Sequence, residues 1–213
     1  MIDKKFSQAL VIGAGTFGTS MATVLAEKFS KVVLKVRSSD VYLSIKEKNQ
    51  NTVYLPGRDL PSNIIPILDW NEFPDLKEYG QLQLLVIGLP SGAIRQYCQD
   101  NFEILNDIIN TGIPILSLSK GMDEHSLEFP DDMLFHYFGK HRDQFCFLSG
   151  PSFAKEIVEK QITLVSIAGR SRPTLLEVAS MLQTEYFKAF LSYDIRGVLL
   201  GGALKNVLAI AGG

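Results

Sequence analysis

The sequence predicts an α/β fold in which helices cover both faces of a doubly wound, mostly parallel sheet. Short apolar runs without alternation recur along the chain, as in strands buried on both faces, and stretches with helical periodicity separate them. The first run, residues 9–12, leads directly into a G-x-G-x-x-G motif formed by Gly13, Gly15 and Gly18. A small-residue stretch suited to a helix follows. This order of strand, glycine turn and helix is typical of a Rossmann-type dinucleotide-binding domain.

Each glycine of this motif has its own expected role. Gly13 permits the tight turn, Gly15 lets the backbone approach a pyrophosphate, and Gly18 lets the new helix pack closely against the strand. The first helix is predicted from about Phe17 to Phe29, with N-terminal amides that face the phosphates. Three glycines in a loop can also form an ordinary structural turn, and their place between a strand and a helix favours the dinucleotide interpretation.

Composition excludes several classes of function. The chain has 213 residues, 46% of them hydrophobic, and its 21 basic and 23 acidic side chains give a formal charge of -2. This balance offers no basic surface for nucleic acid or an anionic membrane, so recognition of phosphate must be local. No apolar run reaches membrane-spanning length and no signal-peptide pattern opens the sequence. We therefore expect a cytoplasmic protein without stable membrane insertion.

The cysteines and histidines suggest no metal site. Cys98 and Cys146 lack metal-ligand or C-x-x-C spacing, and we expect buried free thiols rather than a disulfide. His125, His136 and His141 lie in or beside a polar, poorly patterned region and show no zinc-type spacing. We assign these histidines no chemistry.

The second predicted strand, residues 31–36, ends where a dinucleotide fold selects its cofactor. An acidic residue at this point would bind the adenosine ribose, whereas the guanidinium fork of Arg37 suits a 2′-phosphate. The sequence therefore favours NADP(H), with NAD(H) as the other cofactor. Two alternatives stay open, a solvated surface Arg37 and an Asp40 that turns inward as the ribose partner.

Further apolar runs extend the predicted sheet. They cover residues 82–89, 113–118, 145–148, 162–168 and 186–191. Because ligands of open parallel sheets bind outside the carboxyl ends of the strands, the residues that follow these runs are candidate site residues. Pro90 follows the first run, and Lys120 follows the second as a candidate anion ligand. Ser152 follows the third, where helix capping alone would also explain a serine.

The remaining segments predict helices and one irregular connection. Residues 41–80 hold a helical stretch and then closely spaced prolines, which predicts a connection with one short strand, and Tyr54 there has a simple packing interpretation. Another helix is predicted from Pro173 to Gln183. Residues 195–211 form an apolar, glycine-studded stretch that predicts a buried helix, in which the ionisable Lys205 needs a partner or a chemical role.

Several separate motifs follow one another along the chain. They are Gly13-Ala14-Gly15-Thr16-Phe17-Gly18-Thr19, Tyr54-Leu55-Pro56 with Leu60-Pro61, Leu89-Pro90-Ser91, Ser119-Lys120-Gly121, Leu148-Ser149-Gly150-Pro151-Ser152-Phe153-Ala154-Lys155-Glu156 and Gly201-Gly202-Ala203-Leu204-Lys205-Asn206-Val207-Leu208-Ala209-Ile210. Together they resemble bacterial NAD(P)-dependent glycerol-3-phosphate dehydrogenase. The last two motifs are far more specific than the first, and the resemblance spans nearly the whole chain.

The resemblance implies reversible hydride transfer between a nicotinamide cofactor and dihydroxyacetone phosphate or sn-glycerol 3-phosphate, for glycerophospholipid synthesis. By the family pattern Thr16 and Phe17 contact the cofactor pyrophosphate, Arg37 its adenosine end, and Tyr54 and Ala154 the same cofactor. Lys120 touches both ligands, Gly150 and Ser152 line the substrate, Lys205 is the general acid or base on the reacting oxygen, and Asn206 is a second polar contact. With Gly13, Gly15, Gly18 and Pro90, these residues make up the expected site.

We expect a dinucleotide-binding domain over residues 1–192 and the first helix of an all-helical substrate domain over residues 193–213. Family members continue for roughly another domain, which carries further substrate-phosphate ligands. The expectation is therefore that this chain binds NADPH, reduces dihydroxyacetone phosphate negligibly and self-associates through residues 195–213. The resemblance implies a homodimer for the full-length protein.

Two other functions compete with this interpretation. One is a related nicotinamide enzyme, such as an acyl-CoA or sugar-acid dehydrogenase, and Ser119-Lys120-Gly121 together with Gly150-Pro151-Ser152-Phe153-Ala154 argues against it. The other is a nucleotide-binding module without turnover, which only the lack of a carboxyl-terminal domain favours.

Overall fold

A single twisted sheet organises the protein, and the computed structural model describes residues 4–73 and 81–212, except for the side chains of residues 205–209. The strands of the described chain are β1 (Phe6–Ile12), β2 (Phe29–Lys35), β3 (Ile64–Ile67), β4 (Leu82–Ile87), β5 (Ile115–Ser117), β6 (Phe145–Ser149), β7 (Thr163–Gly169) and β8 (Phe187–Ser192). The helices are α1 (Thr16–Ala26), α2 (Ser39–Lys48), α3 (Ser91–Asp100), α4 (Phe102–Asn110), α5 (Pro130–Phe138), α6 (Ala154–Val158), α7 (Arg172–Leu182) and α8 (Ile195–Ala211). Short 3-10 turns lie at Trp70–Glu72 and Gly139–Gln144.

The strand order confirms the predicted doubly wound sheet. It runs β3-β2-β1-β4-β5-β6-β7-β8. All neighbouring pairs are parallel except β6 and β7, which are antiparallel. The chain first winds outward from β1 to β3 and then crosses back to β4 on the other side of β1. The point where strand order reverses, between β1 and β4, is where open α/β sheets bind ligands.

The two faces of the sheet carry separate apolar layers. Along β1, Ala9 and Val11 pack into one layer and Leu10 and Ile12 into the other, because successive side chains of a strand point to opposite faces. Helices α1 and α7 cover the first layer, and α3, α4 and α5 cover the second. Both layers lie under helices around β5 and β6, which explains why these central strands are continuous apolar runs rather than alternating ones.

The predicted end of the first helix was wrong. The helix stops at Ala26, and Phe29 begins β2 instead. Phe29 is fully buried and its ring stacks on Phe6 with centroids 5.1 Å apart, since the parallel register pairs these two residues. The predicted inward residues of the helix are buried: Met21, Val24 and Leu25. Pairing with β1 therefore places Phe29 in β2, although helical periodicity predicts it at the end of α1.

The proline-rich connection and the later helices follow the sequence closely. The short strand within residues 41–80 is β3, and Pro66 is tolerated there because β3 forms the edge of the sheet. Pro173 lies in the first turn of α7, as expected, and Ser171 caps that helix by accepting a hydrogen bond from the amide of Thr174 at 3.3 Å. The long helix predicted at residues 195–211 is α8.

Both cysteines are buried free thiols, as predicted. Burial raises the pKa of the Cys98 thiol and of the Cys146 thiol to about 12. In the described part of the chain, no group of three or more His, Cys, Asp or Glu residues is placed to hold a metal ion. The helices of that part include none that is long and apolar enough to cross a membrane.

The buried thiols predict slow modification of the native protein. A disulfide reagent such as Ellman's reagent should leave Cys98 and Cys146 largely unmodified at mildly alkaline pH, because the thiolate is the reacting form and burial disfavours it. Unfolding in urea should expose both thiols to rapid modification. Rapid reaction of either cysteine without denaturant would contradict the packing described for β6 and α3.

Candidate functional site

A cavity of about 710 Å³, here called the strand-end cavity, lies at the carboxyl ends of β1, β2, β4 and β5. Its walls come mainly from residues at or just after these strand ends and from α3. Tyr54 and Leu68, which lie between α2 and the 3-10 turn at Trp70–Glu72, complete the lining. The cavity therefore lies where the strand order reverses. A larger cavity of about 1040 Å³ opens near the amino ends of β1 and β8 and includes Lys28 and Lys188, but none of the predicted site residues lines it.

The glycine turn is held by close backbone contact. Gly13 has a φ of +102°, and a Cβ atom there would lie 2.5 Å from the carbonyl oxygen of Gly88. A Cβ on Gly18 would lie 2.0 Å from the carbonyl oxygen of Gly13. A Cβ on Gly15, in contrast, would meet nothing within 4 Å. Gly13 and Gly18 thus serve the turn and the helix packing, whereas Gly15 leaves open space on the cavity side.

Helix α1 begins directly beside this open space. Gly15 is its N-cap residue, and Thr16 and Phe17 are the first residues of the helix. The first turn of a helix leaves amide groups without partners inside the helix, and its dipole favours negative charge. Gly15, Phe17 and Gly18 line the strand-end cavity. This end of the cavity has the electrostatics and the room that a pyrophosphate needs.

The end of β2 supplies cations to the opposite part of the cavity. Arg37 is exposed and lines the cavity, whereas Asp40 lies in the first turn of α2, outside the lining. Lys35 also lines the cavity, and its Nζ donates to the carbonyls of Val36 at 3.2 Å and Leu68 at 2.8 Å. Burial lowers the pKa of Lys35, although Asp69 and Glu72 act in the opposite direction. The sequence predicts Lys35 only as part of a strand, although a lysine that ends an apolar strand is a signal for this position.

Lys120 connects the strand-end cavity to the segment that follows β6. It lines the cavity, and its Nζ lies 4.4 Å from the centre of the Phe17 ring. The same atom donates to the Ser152 hydroxyl at 3.0 Å and approaches the Gly150 carbonyl oxygen at 3.5 Å. The predicted residues Phe17, Lys120, Gly150 and Ser152 are therefore brought together around one ammonium group.

Helix capping does not explain Ser152. Helix α6 begins at Ala154 with Phe153 as its N-cap residue, and the buried Ser152 hydroxyl accepts from Lys120 instead. Ala154 is not among the residues lining the cavity, and its carbonyl oxygen accepts from the Ser20 hydroxyl at 3.1 Å. That bond joins α6 to α1, so the segment around Ser152 is fixed to the helix of the glycine turn.

Helix α8 passes close to the end of β6. A Cβ on Gly202 would lie 2.4 Å from the Ser149 hydroxyl oxygen, so this glycine allows the close approach. Lys205 and Asn206 follow within about one helical turn of Gly202. Their side chains lie outside the described residues, and their predicted roles stay predictions.

Tyr54, Pro90 and Tyr97 complete the candidate site. Tyr54 and Pro90 line the strand-end cavity, and their cofactor-binding roles stay predictions. Tyr97, which no sequence motif indicates, also lines the cavity, and its buried hydroxyl has no hydrogen-bond partner among the described residues. Burial raises the pKa of Tyr97, so the hydroxyl is a neutral group that can donate to an occupant of the cavity.

Comparison with known proteins identifies relatives of this architecture. Residues 8–174 match the family model described as the N-terminus of NAD-dependent glycerol-3-phosphate dehydrogenase. A glycerol-3-phosphate dehydrogenase [NAD(P)+] of Leptospira biflexa is 35% identical over 95% of the chain, and a chloroplastic glycerol-3-phosphate dehydrogenase [NAD(+)] of Arabidopsis thaliana is 33% identical over 97%. The chain spans 59% of the first of these proteins and 47% of the second.

The solved structures that resemble this chain include a protein of the same name as the sequence relatives. The crystal structure of glycerol-3-phosphate dehydrogenase from Coxiella burnetii matches 97% of the chain with a TM-score of 0.80 and 27% identity, and 60% of that chain is covered. The structure of a protein from Dunaliella salina matches the same share with a TM-score of 0.79 at 21% identity, and 37% of that chain is covered. At this lower identity the likeness shows the fold alone.

Two glycine substitutions test the geometry of the turn. Gly18→Ala should lower the free energy of unfolding by about 1–3 kcal/mol, because the new methyl group meets the backbone of Gly13. Gly15→Ala should change it by less than about 1 kcal/mol, since the φ of -66° and ψ of 177° at Gly15 suit alanine and the space is open. Urea denaturation measures both. Equal losses in the two variants would contradict the assigned roles.

Proposed function

The chain belongs to the NAD-dependent glycerol-3-phosphate dehydrogenase family, and we propose that it interconverts dihydroxyacetone phosphate and sn-glycerol 3-phosphate with a nicotinamide cofactor. The observation that carries this proposal is the position of Lys120 between the strand-end cavity and Ser152. One ammonium group thereby lies next to a cofactor-sized cavity and next to the segment expected to hold the substrate. Because the chain spans 59% and 56% of the first two curated relatives, the activity of the whole protein is part of this proposal.

The lining of the strand-end cavity supports a dinucleotide as its occupant. The open space at Gly15 and the first turn of α1 suit the pyrophosphate, and Arg37 suits a 2′-phosphate at the adenosine end. The buried Tyr97 hydroxyl offers a donor to an occupant of the cavity. When bound, the nicotinamide group would supply or accept the hydride. We infer a preference for NADPH over NADH from Arg37 and from the position of Asp40 outside the cavity lining.

On the substrate side, the chain offers positive charge and a hydroxyl group. The Lys120 ammonium and the Ser152 hydroxyl are 3.0 Å apart, and both can bind an anionic, hydroxyl-bearing substrate. As a ketone accepts hydride, its oxygen becomes an alkoxide, which a neighbouring lysine can stabilise and protonate. We assign this proton transfer to Lys205, because it follows within about one helical turn of Gly202, which packs against Ser149 at the end of β6. Asn206 is proposed as a second polar contact and Gly150 as part of the substrate wall.

The division into a dinucleotide-binding domain and the start of a helical domain forms part of the same proposal. Helix α8 begins at Ile195, close to the proposed boundary between residues 1–192 and 193–213. Its exposed apolar side chains include Leu200, Leu204 and Ile210, a surface suited to packing against further helices or a second copy. A homodimer and a role in glycerophospholipid synthesis follow from the family resemblance, whereas a cytoplasmic location was expected from the sequence pattern. All three stay predictions.

A substrate panel tests the proposed reaction. The loss of NADPH absorbance should be followed with dihydroxyacetone phosphate and other small phosphorylated ketones, using this chain and any longer native form. We expect turnover with dihydroxyacetone phosphate in the longer form and little in this chain, because positioning a substrate requires all its ligands. Turnover with an acyl-CoA or a sugar nucleotide, and none with dihydroxyacetone phosphate, would contradict the proposal.

Arg37→Asp tests cofactor selection. A carboxylate at this position repels a 2′-phosphate and can accept from the ribose hydroxyls, so the preference for NADPH should reverse in favour of NADH. Calorimetry gives the dissociation constants of both cofactors. The matched control is Asp40→Asn, which should leave the ratio unchanged. A change in the ratio in that control, with none in Arg37→Asp, would identify Asp40 as the ribose partner.

Lys205→Ala and Lys120→Ala separate the two proposed lysine roles. In a catalytically complete form, Lys205→Ala should lower turnover about 100-fold or more with nearly unchanged NADPH affinity, because it removes acid catalysis and stabilisation of the developing charge. Lys120→Ala should mainly weaken the binding of both ligands. Steady-state kinetics and calorimetry measure the two effects, and near-normal turnover of Lys205→Ala with a raised KM would reverse the assignment.

A further inference from the structure

We propose that Asn51 is a positioning residue that fixes the peptide group between Ala14 and Gly15, so that the Gly15 amide faces the cofactor. Asn51 is completely buried and does not line the strand-end cavity, whereas Ala14 and Gly15 both do. The side chain therefore acts on the cavity through the backbone of the glycine turn. This inference rests on the proposed function, since the cofactor is the ligand that the turn would bind.

The Asn51 side chain bonds to three different parts of the structure. Its Nδ2 donates to the Ala14 carbonyl oxygen at 2.9 Å and to the Thr19 hydroxyl oxygen at 2.8 Å. Its Oδ1 accepts from the Tyr54 amide at 3.2 Å. Because a carbonyl can only accept and an amide N–H can only donate, Ala14 and Tyr54 together allow a single orientation of the Asn51 carboxamide. No other neutral side chain of this size offers both donors and an acceptor in one plane.

These bonds determine which way the turn presents its polar groups. The Thr19 hydroxyl also donates to the Ala14 carbonyl oxygen at 3.2 Å, so two donors hold this oxygen on the buried side. In a planar trans peptide the N–H group points opposite to the carbonyl group, and the Gly15 amide is therefore directed away from Asn51. Gly15 lies on the cavity wall. A rotated peptide would instead turn the negative end of the carbonyl dipole towards the phosphates.

Asn51 also places the loop that carries Tyr54. Its own carbonyl oxygen accepts from the Leu55 amide at 2.8 Å, and the Leu55 side chain is buried in the apolar layer under α1. Tyr54, immediately before Leu55, reaches the strand-end cavity. One buried side chain thus sets the glycine turn and the Tyr54 loop at a fixed separation. A pyrophosphate would lie between the glycine turn and the Tyr54 loop, and the separation of these two walls depends on Asn51.

Asn51→Ala tests the proposal, with Asn63→Ala as the matched control. Asn63 also donates from Nδ2 to two acceptors, the carbonyls of Ala26 at 3.0 Å and Phe29 at 2.9 Å, but it lines the cavity near the amino ends of the strands. Both variants should lose stability in urea. In addition, Asn51→Ala should weaken NADPH binding about tenfold or more, as expected for the loss of an oriented amide that faces a charged group. Asn63→Ala should leave the NADPH affinity unchanged.

Adenosine 2′-monophosphate distinguishes positioning of the turn from a general loss of structure. It carries the 2′-phosphate but no pyrophosphate, so its affinity should change by less than about twofold in Asn51→Ala. Thr19→Val removes the second donor to Ala14 while keeping the shape of the side chain. It should weaken NADPH binding in the same direction, and it serves as the test if Asn51→Ala does not fold.

A measurement without ligand completes the test. The Gly15 amide resonance of nitrogen-labelled protein should shift in Asn51→Ala and Thr19→Val and stay in place in Asn63→Ala. Unchanged NADPH affinity in folded Asn51→Ala, or equal weakening of NADPH and adenosine 2′-monophosphate, would overturn the positioning role alone. If the unaltered chain binds neither NADPH nor NADH, the proposed function fails, and the inference that rests on it fails as well.

Discussion

Backbone contact between the glycine turn and the neighbouring strand end is the constraint on which the site depends. Gly13 packs against the backbone of Gly88, and Gly18 packs against Gly13, at distances where a Cβ atom would lie within 2.5 Å of a carbonyl oxygen. This packing brings the start of α1 directly above the reversal point of the sheet. The amides of the first turn then open into the strand-end cavity. In a chain with a formal charge of -2, the phosphate binding that we propose would therefore be a local property of the backbone.

Positive side chains complete this arrangement at the two ends of the cavity. Lys35 and Arg37 stand at the end of β2, and Lys120 stands near the end of β5. Because Lys120 reaches both the Phe17 ring and the Ser152 hydroxyl, the proposed cofactor side and the proposed substrate side share one charge. The hydrogen bond from the Ser20 hydroxyl to the Ala154 carbonyl oxygen joins α1 to α6 and so holds the two sides at a fixed distance. In this account, the sheet fixes the strand ends and a small number of polar bonds fix the distances between them.

Local patterns were sufficient to predict most of the fold. The central strands contain apolar runs, such as residues 9–12 of β1 and residues 84–87 of β4, and the glycine motif lies between β1 and α1. Contacts across the chain decide the points that local patterns left wrong or open. Phe29 was wrongly predicted as helical and joins a strand because Phe6 lies beside it, and the open alternative for Ser152 is resolved because it binds Lys120 instead of capping a helix. Asn51 could not be assigned from sequence, because its partners Ala14 and Thr19 come from a distant part of the chain and give no periodic signal. Lys35, in contrast, carries a sequence signal, since it ends an apolar strand.

A crystal structure of this chain with bound NADPH would test the central claim most directly, namely that the glycine turn, Arg37 and Lys120 form one continuous dinucleotide site. The account predicts the pyrophosphate against the amides of Gly15 and Thr16, the 2′-phosphate beside Arg37 and the nicotinamide ring next to Lys120. A dinucleotide bound in the cavity that includes Lys28 and Lys188, or one whose adenosine end lies away from Arg37, would contradict it.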